Sequence, residues 1–207
     1  MSGLTDAQKE AVKQVITILS KNVQAKKIRI PSRVEAVSVK WVRDAPFFSE
    51  FLLRFNYFET EGVPTMGVDC RKGSINLYFN PKFVDGGMEY IKFDDKTGEA
   101  IVKKDKKGQP KLDKDGNVEY EKEMWKGLSD SELEGVLVHE IMHLIRMHHE
   151  RSLEDRYIFN IAGDMIINED LKTMKIANRE MKLPKGCVYL DMARKDGYKG
   201  TPITEPL

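Results

Sequence analysis

The chain has 207 residues, 41% of them hydrophobic and 32% charged, with a formal net charge of +1. That length and apolar fraction support one domain with a sizeable core, and the near balance of acids and bases lacks the basic footprint of a nucleic-acid binder. Cys70 and Cys187 form no CxxC pair, MSGLTDAQKE lacks the basic start and apolar run of a signal peptide, and no apolar stretch is long enough to span a bilayer. A cytoplasmic protein with reduced thiols and no membrane contact is expected.

Thr5 and Gln8 form a T-x-x-Q capping box, and Ala11, Val12, Val15, Ile16 and Leu19 follow at helical spacing. The pattern predicts an amphipathic helix to about Lys21. A short helix is expected from Ala45, then a strand from Arg54 to Glu59. INLYFN, from Ile75 to Asn80, has strand composition and ends at Asn80-Pro81. From Phe93 to Glu123 the chain turns rich in Lys and Asp. Turn signals recur at Lys96-Thr97-Gly98, Lys107-Gly108 and Asp115-Gly116, separated by short alternating runs. This reads as an exposed β-hairpin or meander inserted before the next helix. DKDGN within it lacks the further oxygen ligands and closing Glu of an EF-hand, so a hairpin turn is the better reading than a calcium loop. Ser129 and Glu132 then offer a second capping box, opening a helix expected over Asp130 to Arg151. Another helix is expected from Leu153 to Met174, and a loop-like tail follows.

All four histidines lie within HEIMHLIRMHH, His139 to His149. His139-Glu140-Ile141-Met142-His143 is HExxH. On a helix, positions i and i+4 share a face, so both imidazoles can reach one zinc, with Glu140 beside the open position. Zinc would acidify a water and Glu140 would take its proton, which makes Glu140 the candidate catalytic base. A catalytic zinc has three protein ligands as a rule, and two residues compete for the third place. His149 has the metzincin spacing, but that motif needs a glycine where this chain has Arg146. Without it the helix is expected to continue and carry His149 off the face. Asp164 lies in the polar stripe Asn160/Asp164/Asn168 of the next helix, at about gluzincin distance from His143, and is favoured. Asn160 is the candidate to hydrogen-bond a ligand. His148 and His149 suit the C-terminal end of the helix dipole; the other reading gives His148 a role in orienting a ligand.

GVDCRKGSINLYFNPKFV, LSDSELEGVLVHEIMHLIRMHHER, FNIAGDMIINEDL and LPKGCVYLD, in that order and spacing, resemble a metallopeptidase domain family of phages and bacteria. In bacteria it is often coupled to a von Willebrand factor A-like segment. The resemblance covers about Phe47 to Leu207. It implies an α+β, minimal zincin-like fold: a small sheet, the HExxH helix and a following ligand helix. It also implies the ligand set His139, His143 and Asp164, with Glu140 as general base. The chain shows no von Willebrand-type segment, which points to a stand-alone, phage-type member. Thr204, Glu205 and Pro206 suit a helix start where the family continues, so a truncated or processed form of a longer protein is expected.

The expectation is thus an N-terminal helical region over 1–44 packed on a metallopeptidase domain over 45–207, with the insertion at about 93–123. The domain would hydrolyse peptides or proteins with Zn2+. In zincins a strand before the site helix often holds the substrate as an added strand, and SINLYF, with Ile75, Asn76, Leu77 and Tyr78, is the expected candidate. Tyr189 or Tyr198 could stabilise the oxyanion. The rival reading is a catalytically silent zincin-fold structural or interaction protein, such as a phage component. The presence of Glu140 argues against it, since a purely structural site needs no base.

Overall fold

The computed structural model describes residues 25–92, 94, 100–151 and 156–195. The helix expected over Thr5 to Lys21, Tyr198 and the segment around Thr204 lie outside the described residues. The architecture is α+β, as expected. Strand β1 (Lys26–Ile28) leads into helix α1 (Ser32–Asp44), where Val34, Val37 and Trp41 recur on one face and are buried. A single linking residue, Ala45, separates α1 from α2 (Pro46–Arg54), whose proline occupies the first turn, where its missing N–H costs nothing. Helix α1 falls within the helical region expected over 1–44, beyond the helix predicted to about Lys21.

Strands β2 (Asn56–Glu59), β3 (Met66–Arg71) and β4 (Ser74–Phe79) complete a four-stranded sheet in the order β1-β2-β4-β3. β1 and β2 are antiparallel, β2 and β4 parallel, and β4 and β3 antiparallel, with Leu77 opposite both Tyr57 and Val68. The expected substrate strand is corrected here. Ile75, Asn76, Leu77 and Tyr78 lie on β4, which is paired on both sides, so its backbone has no edge to offer a peptide. The edge belongs to β3, which has no outer strand partner among the described residues.

A short helix α3 (Pro81–Val84), capped by the Asn80 side chain, leads into the insertion. Its stem is the antiparallel pair β5 (Glu89–Ile91) and β6 (Lys122–Met124). Beyond it the chain forms a three-way junction. The amide of Lys103 donates to the Glu119 carbonyl (2.9 Å), that of Lys111 to Lys103 (2.8 Å) and that of Glu119 to Lys111 (2.8 Å), closing a ring of hydrogen bonds. Isolated pairs lie around it: Val102 with Tyr120, Lys104 with Pro110 and Leu112 with Val118. The Glu119 carboxylate ties the three corners, at 2.8 Å from Lys111 Nζ and 3.6 Å from Lys103 Nζ. The DKDGN segment is a turn, since Asp113 Oδ1 accepts from the amides of Asp115 (2.8 Å) and Asn117 (2.9 Å).

Helix α4 (Asp130–Ile145) opens on the expected capping box, with Ser129 and Glu132 satisfying each other's amides. It ends six residues earlier than expected: Met147 adopts a left-handed conformation (φ 54°) and turns the chain. Helix α5 (Arg156–Thr173) packs beside it, followed by the two-residue strands β7 (Lys175–Ile176) and β8 (Arg179–Glu180) and helix α6 (Leu190–Lys195). One core joins Trp41, Leu52, Leu77, Leu137, Ile141 and Ile167 from all these layers. The back of α4 is crossed by the chain near Lys182 so closely that a Cβ at Gly135 would stand 1.9 Å from the Lys182 carbonyl oxygen. Only glycine admits that approach.

Candidate metal centre

HExxH lies in the last two turns of α4, where the helix is buried against the sheet on one side and α5 on the other. Val138 and Ile141 point into the core and are fully buried, which turns His139 and His143 outward together toward α5. Their Nε2 atoms are 3.0 Å apart. Asp164, on the facing side of α5, places Oδ1 3.0 Å from His143 Nε2 and 3.5 Å from His139 Nε2. One ligand atom from each of the three residues lies within 4.8 Å of the other two, an arrangement that could hold a metal ion. His149 is outside this group and stands 3.7 Å from the Glu150 carboxylate. The preference for Asp164 rested on a helix that runs straight on past Arg146. The helix does not run on, yet the residue facing the two histidines is Asp164.

The far nitrogens of the two imidazoles also have partners. His139 Nδ1 meets Asn168 Oδ1 at 2.8 Å, and the orientation of that amide is fixed because its Nδ2 donates to the Val188 carbonyl at 2.7 Å. His143 Nδ1 meets His148 Nδ1 at 3.0 Å. Asn160 lines the cleft but is exposed at its mouth. The asparagine of the stripe that touches a histidine is thus Asn168, two turns beyond Asn160. The signal in the sequence was the i, i+4, i+8 spacing itself; which member reaches the ligand depends on the approach of α5 to α4.

The electrostatics follow from burial and proximity. Glu140 is 7% exposed, and burial pushes its carboxyl above the ordinary carboxylate range, partly offset by the neighbouring histidines. Burial would also raise Asp164, but its hydrogen bonds to His139 and His143 overcome that and hold it down at about 2. Burial works against a charge on His139, yet the Asp164 hydrogen bond and the Glu140 and Asp164 charges lift it above the usual imidazole value. An anionic Asp164 facing two imidazoles is a group that could hold a cation.

A cleft of about 270 Å³ opens above these groups, lined by Thr65, Met66, Gly67 and Val68 on one wall and by His139, Glu140, His143, His148, His149, Asn160 and Asp164 on the other. The first wall is the edge strand β3 with the residue before it. Neither Tyr189 nor Tyr78 takes part: the Tyr189 ring lies under Lys172 Nζ at 4.4 Å, and Tyr78 stacks on Phe58 at 5.1 Å.

Residues 100–200 match the family described as "Putative metallopeptidase domain". The matched segment holds His139, His143, Glu140, Asp164, Asn168 and the Val188 carbonyl, together with most of the charged stretch before α4. The sheet, including the β3 wall of the cleft and the stretch GVDCRKGSINLYFNPKFV, precedes the matched residues. No curated protein matches the chain, and no solved structure does. Among the described residues, no helix is long and apolar enough to cross a membrane.

Proposed function

We propose that the chain is a zinc-dependent peptidase in which His139, His143 and Asp164 hold the metal and Glu140 is the general base. The observation that carries the reading is the convergence of two imidazole nitrogens and a carboxylate oxygen beside a buried glutamate. The donor set suits zinc: atoms about 2.0–2.1 Å from a common tetrahedral centre stand roughly 3.3 Å from one another, and the separations here are 3.0, 3.0 and 3.5 Å. Zinc held there would supply Lewis acidity, which acidifies water and polarises a carbonyl.

The chain's own groups supply the rest. A peptide strand can add to the edge of β3, its main chain paired to the backbone of Met66 to Val68 and its scissile carbonyl brought over the donors. Glu140, its carboxyl raised by burial, is suited to take a proton from the attacking water and deliver it to the leaving nitrogen. Asn168 fixes the His139 ring so that its Nε2 lone pair faces inward.

The test is a degenerate peptide library incubated with zinc-loaded full-length chain, with chelated chain, and with chelated chain to which zinc is returned. Cleavage products identified by mass should appear, vanish and reappear in that order. A zinc-loaded chain that cleaves nothing would leave a metal-bound structural protein in place of a peptidase.

A further inference from the structure

His148 is 6% exposed and stands at the end of an unusual local path. The helix breaks at Arg146, and Met147 takes the left-handed conformation, which is unfavourable for a residue with a Cβ. The turn brings the His148 amide back to the His143 carbonyl at 3.0 Å and carries its ring under the His143 ring. The two ring centroids are 5.0 Å apart, and Phe159 closes the other side edge-on at 5.4 Å. Room for the ring exists because residue 163 is a glycine. A Cβ there would lie 2.8 Å from His148 Nδ1 and 2.9 Å from its Cε1. A left-handed methionine and a glycine inside a helix are both unfavourable in isolation, and both serve to admit this one imidazole.

We propose that His148 is a positioning residue for the metal ligand His143, acting as a neutral hydrogen-bond acceptor through Nδ1. This inference rests on the metal centre proposed above. A ligating His143 must present a bare Nε2, so its proton sits on Nδ1. Among the described residues, the atom within hydrogen-bond reach of that Nδ1 is His148 Nδ1, at 3.0 Å. It can accept only if its own proton is on Nε2. The two ligand histidines are then oriented by different chemistry: His139 by the amide oxygen of Asn168, and His143 by a second imidazole.

The experiment measures zinc affinity of the full-length chain by competition with a chromogenic chelator, together with the visible spectrum of the Co(II)-loaded form. His148→Phe keeps an aromatic ring against Phe159 but removes the acceptor; His148→Asn gives up the ring but can place an oxygen near the position of Nδ1. His148→Phe should weaken zinc binding by about 10- to 100-fold and alter the Co(II) bands, while His148→Asn should stay within a few-fold of wild type. Gly163→Ala should weaken binding alone but add nothing in the His148→Phe background, because it acts by displacing that ring. Long-range 1H–15N correlation of the zinc-loaded chain should show the proton on His143 Nδ1 and none on His148 Nδ1. Should His148→Phe fail to fold, His148→Ala against His148→Asn makes the same comparison. Wild-type affinity and an unchanged Co(II) spectrum in the variant lacking the acceptor would reduce His148 to packing and overturn the proposal. A wild-type chain that takes up no zinc would instead remove the metal centre itself.

Discussion

Glu140 illustrates how one residue can be costly to the fold and still make chemical sense. A carboxylate that is 7% exposed gives up most of its hydration, and no lysine or arginine is among the groups that act on it; its compensation comes from His139 and His143. That environment suits a group that must gain and lose a proton. Glu140→Gln keeps shape and volume, so it should leave folding and zinc content unchanged while peptide hydrolysis falls by about 10²- to 10⁴-fold, read by comparing metal content and turnover of the two proteins. The proposed ligand set makes Asp164 a donor and leaves His149 out. Asp164→Ala should cut zinc affinity sharply, since two donors would remain, whereas His149→Ala should bind zinc nearly as wild type does. A chelator titration of both gives the order, and the reverse order would move the third ligand to His149.

Among the elements, the end of α4 departs most from what its sequence suggests. No glycine marks the break, and the apolar and histidine pattern runs on to Arg151. The break arises from tertiary contacts: Met147 accepts a left-handed backbone so that His148 can pack under His143, and Arg146 Nη2 binds Asp170 Oδ2 at 2.5 Å across to α5. Because the Met147 side chain is about half exposed, it contributes little packing there. Met147→Gly should therefore raise stability by about 1 kcal/mol, measured by urea denaturation, with zinc affinity unchanged; a loss of stability would mean that the methionine side chain is itself holding the turn.

For the molecule as a whole, what could be read in the sequence was what local spacing encodes. HExxH on a capped helix, the polar stripe that contains Asp164 and the turn signals at Lys107-Gly108 and Asp115-Gly116 all depend on residues a few positions apart and have counterparts in the structure; the signal at Lys96-Thr97-Gly98 lies outside the described residues. What could not be read depends on which elements meet. Strand composition marks SINLYF as a strand but does not say that β2 and β3 flank it. The outer position therefore fell to MGVDCR, whose Asp and Arg dilute its strand signal. Asn168 was visible as one of three stripe members, yet its contact with His139 Nδ1 depends on how α5 lies against α4 and on the Val188 carbonyl that holds its amide. Gly163 carried a faint signal of its own, a glycine inside a helix directly before the candidate ligand.

The three-way junction of the insertion has a consequence for how this protein can vary in length. Its corners, Lys103, Lys111 and Glu119, are eight residues apart, and each eight-residue excursion returns the chain to the point it left. Removing residues 104–111 would join Lys103 to Leu112 with the Lys103–Glu119 hydrogen bond in place and the Leu112–Val118 pair following the Val102–Tyr120 pair in register. Beyond Ile101 the branched arm would become a straight hairpin. That shortened chain should keep wild-type zinc affinity and a single cooperative unfolding transition; loss of either would tie the arm to the core. An eight-residue unit can thus be gained or lost here with the register of the flanking pairs kept.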